Sequence, residues 1–269
     1  MKSKRLINFF KWFVIIYCGI GIILYYIQDK ILLHPKPLDK NHIFNFNQNF
    51  TEQNIAFNKE DTINLIKFDA VGEVKKGIVI YYHGNKNNVE HYAPFVPAFT
   101  KHGYDVWMPD YPGFGKSTGE ISEQKLYSLA YEIRKMAETK FPADSIVIYG
   151  KSLGTALAAY TASVKPCRKL ILETPYYSIP ALFNSYAFMY PSRIMSKYKL
   201  PTYEFLQEVK APITIFHGTG DWVVPYRSGV KLKKLLKSND QFIKIENGEH
   251  NNLSESVIYR NALDSLLEK

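Results

Sequence analysis

Ile146-Val147-Ile148-Tyr149-Gly150-Lys151-Ser152-Leu153-Gly154, continuing into Thr155-Ala156-Leu157-Ala158-Ala159, joins an apolar run to a helix-forming run through one serine between glycines. The four leading residues suit a buried strand, and the alanines and leucine that follow suit a helix. Gly-x-Ser-x-Gly gains meaning in this strand–turn–helix setting. Its glycines let helix and neighbouring strand approach a strained turn, which lifts the serine above the sheet edge at a helix start. A dipole end at that position favours developing negative charge. Ser152 is therefore the candidate nucleophile.

Outward from this stretch the pattern repeats. Short apolar runs bounded by turn residues occur at Ile78–Tyr82, Asp105–Met108, Leu170–Leu172, Ile213–Phe216 and Phe242–Ile245. Their continuous hydrophobicity suits strands buried on both faces of a parallel sheet. Helical spacing runs through Ser122–Phe141 (Leu126, Leu129, Ala130, Ile133, Ala137), Leu153–Val164, Tyr226–Lys237 and Ser254–Leu267, and a weaker helix over Val89–His102 is interrupted by Pro94 and Pro97. Asn54–Phe57 and Ile63–Phe68 flank a turn and predict an antiparallel hairpin. The fold class is thus α/β, with a mostly parallel central sheet flanked by helices. An insertion at about 175–210 separates two strands and is rich in aromatics; it predicts a lid. Tyr176, Tyr177, Phe183 and Tyr186 are its candidate pocket residues, with ordinary packing against the sheet as the competing reading.

A serine hydroxyl needs a base to take its proton. Of seven histidines, His34 and His42 lie in a polar segment, His91 and His102 near a surface helix, and His83 and His217 in His-Gly pairs at strand ends. His250 follows the last strand in Asn247-Gly248-Glu249-His250, a loop over the strands' carboxyl ends, and is the candidate base. The third group must be an acid that orients the imidazole. Asp221, after the penultimate strand, is preferred, and Glu173, one strand earlier, is the fallback. The order Ser152…Asp221…His250 is the chain order of α/β enzymes with this elbow. Two N–H donors are needed for an oxyanion. Leu153, directly after the serine, supplies one; Asn85, in the loop after Ile78–Tyr82 where Gly84 lets the backbone turn inward, supplies the other.

Composition narrows the alternatives. The 269 residues are 46% hydrophobic and 22% charged, which excludes wholesale disorder and a polytopic membrane protein. Two cysteines cannot build a disulfide framework or a four-thiolate metal site. No metal site is expected. The net charge is +9, and Lys2, Lys4, Arg5 and Lys11 carry four of these charges before residue 12. The remainder shows no basic run interleaved with aromatics, so no nucleic-acid partner is expected. Trp12 to Ile27 carries no charge, and Leu6–Ile27 makes about 33 Å of helix, enough to cross a bilayer. Residues 1–30 read as a basic cytoplasmic tip and a transmembrane signal-anchor. A cleaved signal is the competing reading, but no small-x-small site follows the apolar run. The positive flank predicts a cytoplasmic amino terminus and a domain on the opposite, periplasmic, extracellular or lumenal side. Residues 31–54 then read as a surface tether, and 55–269 as the folded domain.

These residues resemble the α/β-hydrolase superfamily, and within it the membrane-anchored single-pass α/β-hydrolase-domain proteins of the bud-emergence type. The likeness runs through Gln28–Pro35, Tyr82-His83-Gly84-Asn85, Asp110-Tyr111-Pro112-Gly113-Phe114-Gly115-Lys116-Ser117, Gly150–Gly154, Leu172-Glu173-Thr174-Pro175, His217-Gly218 with Asp221, and Gly248 with His250-Asn251. The resemblance implies the α/β-hydrolase fold and a cofactor-free Ser-His-Asp serine hydrolase acting on carboxylic esters or thioesters, with acylated or lipid-like small molecules as substrates. An aminopeptidase or amidase on the same residues is one alternative, and a catalytically idle membrane-tethered binding protein is another. Pro112 and Lys151 stand where the resemblance expects a basic residue and arginine. Both departures bear on substrate rather than on the three reacting groups, and Lys151 reads as a solvated lysine or as a contact for an acidic leaving group.

Overall fold

The computed structural model describes residues 2–268. It opens on a long helix, α1 (Lys2–Leu32), then a two-residue strand β1 (His34–Pro35) and the hairpin β2 (Phe50–Ala56) and β3 (Thr62–Phe68). Strands and helices then alternate: β4 (Gly77–Tyr82), the short β5 (Lys86–Asn87), α2 (Val89–Tyr92), α3 (Pro97–Thr100), β6 (Tyr104–Pro109), α4 (Glu123–Glu138), β7 (Ile146–Lys151), α5 (Gly154–Val164) and β8 (Lys169–Glu173). The insertion holds α6 (Ile179–Tyr186), α7 (Ser192–Met195) and α8 (Thr202–Glu208). The chain closes with β9 (Ile213–Gly218), α9 (Tyr226–Leu232), β10 (Gln241–Ile245) and α10 (Val257–Glu268).

Among the described residues one sheet has the order β10-β9-β8-β7-β4-β6-β3-β2. It is parallel from β10 to β6 and antiparallel where β3 meets β6 and β2. Strand periodicity divides β4 between two cores. Ile78, Ile80 and Tyr82 pack with Leu126, Ile133 and Ala156 on the α4–α5 face, while Val79 and Tyr81 pack with Val89, Phe99 and Leu263 on the α10 face. That two-sided burial is why the runs are apolar throughout. The carboxyl ends of β4, β7, β9 and β10 converge on one edge, where the site lies.

Local chemistry sets the boundaries. Ser122 caps α4 by accepting the Lys125 N–H at 3.2 Å. The helix stops at Glu138, short of the expected Phe141, because Pro142 disfavours helical backbone in the residue before it. Pro94 and Pro97 break the Val89–His102 segment into α2, a 3₁₀ turn and α3.

One expectation is corrected. The stretch read as a tether is built into the folded unit. β1 pairs in parallel with β5, Leu33 and Phe44 are buried, and β2 begins at Phe50, ahead of the expected domain start at 55. Its Asn-rich composition conceals this because the bonds are backbone ones: His34 N–H donates to the Asn85 carbonyl (2.9 Å) and Lys36 N–H to that of Asn87 (3.1 Å). The helix over Lys4–Leu32 is long and apolar enough to cross a membrane, and it extends past the expected stop at Gln28 by one further turn.

Candidate active site

The turn between β7 and α5 holds Ser152 at φ 50°, a left-handed conformation that a non-glycine residue adopts only under constraint. The constraint comes from both sides. Ser152 N–H donates to the Glu173 carbonyl on β8 at 2.9 Å, and Thr155 N–H donates to the Ser152 carbonyl at 2.9 Å. Side chains at the flanking glycines would not fit. A Cβ on Gly154 would stand 2.1 Å from the Tyr82 carbonyl oxygen, and one on Gly150 would stand 2.5 Å from that of Gly154. The hydroxyl is thereby fixed above the sheet, with the residue 7% exposed.

His250 Nε2 lies 2.9 Å from Ser152 Oγ, and His250 Nδ1 lies 2.8 Å from Asp221 Oδ2. A carboxylate oxygen accepts, so Nδ1 carries the ring proton and the Nε2 lone pair faces the serine. Asp221 is itself held, its Oδ1 accepting the N–H groups of Val223 (2.9 Å) and Val224 (2.8 Å). Behind it, buried His217 puts Nε2 at 2.9 Å from the Val224 carbonyl; burial pushes this imidazole's pKa down, so it donates as a neutral ring. Ser152, Asp221 and His250 come from three separate loops and meet as a continuous hydrogen-bonded series. Glu173, the fallback acid, does not touch His250. Its carboxylate is 3% exposed and bonds Lys151, Tyr149 and Tyr259, the last at 2.8 Å.

Lys151 is the second correction. It is buried, not solvated, and ion-pairs with Glu173, its partner in the β7–β8 register, with its ammonium 5.4 Å above the Phe95 ring. Burial raises the Glu173 carboxyl, but the Lys151 charge and the three side-chain hydrogen bonds outweigh it and hold the pKa below the ordinary range.

Among the described residues, the backbone N–H groups of Asn85 and Leu153 donate to no protein acceptor. The loop carrying Asn85 is pinned from several directions. The Tyr92 hydroxyl lies where a Cβ on Gly84 would come within 2.6 Å of it. Burial raises its pKa to about 12, against the lowering effect of the Lys86 and Gly84 N–H groups. His83 Nδ1 lies 2.7 Å from the Gly84 carbonyl and its Nε2 lies 3.3 Å from buried Asp110; the Asp110 carboxylate accepts the Val89 N–H. From outside, the Asn85 side chain donates to the Leu32 carbonyl at the end of α1 (2.5 Å). Sequence reasoning missed Tyr92, Asp110 and Leu32 here; Asp110-Tyr111-Pro112-Gly113 was the available signal for the second.

The lid aromatics divide. Tyr176 is a core residue whose hydroxyl donates to the Leu153 carbonyl at 3.2 Å, which corrects its reading as a pocket residue. Tyr177 stacks on Tyr203 at 4.3 Å and lines a groove of about 1260 Å³. Phe183 is half-buried on α6. Tyr186 is exposed at the end of α6, and its hydroxyl donates to the carbonyls of Trp222 (2.5 Å) and Val223 (2.9 Å), tying the lid to the Asp221 loop.

This architecture is the α/β-hydrolase fold, and a family described as alpha/beta hydrolase fold matches residues 77–202. Within it the chain resembles α/β hydrolase domain-containing proteins. It is 27% identical over 194 residues to aho-3 of Caenorhabditis elegans (71% of this chain, 57% of that protein). It is 25% identical over 197 residues to protein 17C of Xenopus tropicalis (70% and 61%). The match thus spans about three-fifths of the length of these two relatives. Among solved structures, the Pyrococcus furiosus esterase Pf2001 superposes with a TM-score of 0.68 at 17% identity, over 88% of this chain and 97% of that one. Est1E from Butyrivibrio proteoclasticus, solved with ferulic acid bound, superposes with a TM-score of 0.65 at 17% identity, over 78% and 95%. At these identities the likeness speaks to fold.

Proposed function

We propose that the protein is a membrane-anchored serine hydrolase that cleaves carboxylic ester or thioester bonds of acylated or lipid-like small molecules. The observation that carries this reading is the Ser152–His250–Asp221 series, with hydrogen bonds of 2.9 and 2.8 Å at a strained turn. Ser152 Oγ attacks the carbonyl carbon as its proton passes to His250 Nε2, and the carbonyl π pair moves onto oxygen. The N–H groups of Asn85 and Leu153 receive that oxyanion. Collapse breaks the bond to the leaving oxygen or sulfur, which takes the proton from His250. Water, deprotonated by the same imidazole, then attacks the acyl-serine and releases the carboxylic acid. Asp221 stabilises the imidazolium in both halves. No step calls on a metal or cofactor.

The sidedness follows from Lys2, Lys4, Arg5 and Lys11: amino terminus in the cytoplasm, hydrolase domain across the membrane.

A fluorophosphonate probe is expected to label the wild-type protein at one serine. Turnover is expected on p-nitrophenyl esters and acyl thioesters and not on aminoacyl anilides. Cleavage of the anilides alone would replace the esterase reading with an amidase one, and a folded protein that takes no label would be catalytically idle.

The contact between Asn85 and Leu32 gives a second test. Asn85→Ala keeps the backbone N–H but releases the loop from the end of α1. A displaced oxyanion donor affects the transition state more than substrate binding. Steady-state kinetics should show kcat falling roughly 10- to 100-fold with KM nearly unchanged. An unchanged kcat would remove the juxtamembrane segment from the catalytic account.

A further inference from the structure

From Thr174 to Ser192 the chain carries no charged residue, yet the lid leaves part of its apolar side chains facing outward. Phe188 is 76% exposed, Ile194 82%, and Met189 more than half. These residues lie beside α1, and the lid is bonded to that helix at two levels. Tyr17 stacks on Tyr190 with ring centres 4.6 Å apart; the Tyr17 hydroxyl donates to the Met189 carbonyl (2.7 Å), and the Tyr190 hydroxyl donates to the Tyr17 carbonyl (3.1 Å). Further along, Gln28 bridges the Met195 carbonyl (3.1 Å) and the Lys197 N–H (2.7 Å), and Lys197 ion-pairs with Asp29.

The two levels are eleven residues apart on α1, about 16 Å along its axis. Gln28 ends the uncharged stretch and Tyr17 sits inside it. A lid segment that reaches from one to the other covers about half the hydrocarbon thickness if α1 crosses the bilayer. The hydrogen bonding fits that depth, because a phenol and a loop carbonyl with no water to bond are costly unless they satisfy one another. Lys197 and Asp29 meet where the apolar stretch ends, and Arg193, exposed beside Ile194, has a stem long enough to carry its charge toward that level.

We propose that the outer edge of the lid, around Phe188, Met189 and Ile194, is immersed in the bilayer leaflet on the domain's side, with lipid acyl chains as its occupant. The inference rests on the membrane-anchor reading of α1. Tyr190 and Ile194 also line the groove that Tyr177 lines, so that groove opens at the same edge.

The test uses the full chain in phosphatidylcholine nanodiscs, with and without lipids brominated midway along their acyl chains. Three single-tryptophan proteins are compared. One retains Trp12 alone (Trp107→Phe, Trp222→Phe); the other two replace all three native tryptophans by Phe and carry Phe188→Trp or Ile194→Trp. Both lid positions are exposed, so neither exchange disturbs packing. Brominated chains are expected to quench the emission of all three by about two-fold or more, as for an indole at or below the interface. Quenching of Trp12 without quenching at either lid position overturns the proposal and leaves the anchor standing. Absence of quenching at all three overturns the anchor reading and the proposal together.

Discussion

Ser152→Ala is expected to lower ester turnover by roughly six orders of magnitude, to a residue of catalysis from substrate binding and the oxyanion donors. His250→Ala should cost nearly as much, because a serine without a base is a poor nucleophile at neutral pH. Asp221→Asn should cost about four orders: the amide keeps the shape but favours the wrong imidazole tautomer and cannot stabilise the imidazolium. The double variant Ser152→Ala, Asp221→Asn should be no slower than Ser152→Ala alone, since the groups act as one unit. Fluorophosphonate occupancy should follow the same order. Thermal unfolding of each variant separates loss of chemistry from loss of fold. Wild-type turnover in Asp221→Asn would remove Asp221 from the mechanism and reopen the search for the acid.

How much of this the sequence makes legible depends on how local each signal is. The strand–Gly150-Lys151-Ser152-Leu153-Gly154–helix unit is contiguous, and two-sided burial writes its neighbours as apolar runs, so the sheet could be read directly. Asp221 and His250 were legible because chain order places the loops after the last two strands at the same sheet edge. Lys151 was not, because its partner is set by the β7–β8 register, which brings it opposite Glu173 from 22 residues away. Tyr176 failed for a related reason: an aromatic in an insertion looks the same in the sequence whether it lines a pocket or packs beneath the elbow. The β1–β5 pairing is carried by main-chain groups, which leave no trace in residue type. The ends of α4 and of the α2–α3 segment are explained by prolines that were visible throughout, yet only the break at Pro94 and Pro97 was anticipated.

Removing the charge of Lys151 is expected to destabilise the domain strongly. Lys151→Met leaves the Glu173 carboxylate buried against Tyr149 and Tyr259 with no cation. Breaking one side of a buried pair costs about 3–5 kcal/mol. For a chain of this size that corresponds to a fall in Tm of roughly 10 °C, read by calorimetry at neutral pH. Lys151→Met combined with Glu173→Gln should recover most of the loss, since the neutral amide still accepts from the tyrosines and no charge is stranded. The pH dependence distinguishes this cause from simple loss of packing. In the wild type the folded Glu173 pKa lies below the unfolded value near 4.5, so the pair's contribution is present above that value and disappears as pH falls through the folded pKa. In Lys151→Met, burial acts without the opposing cation and raises the folded pKa. Protonation then favours the fold, so the variant's deficit should shrink as pH drops from 7 toward 4, opposite in sign to the wild-type trend. A deficit that stays constant over that range would mean that Lys151 contributes through its methylenes against Phe95 and not through its charge.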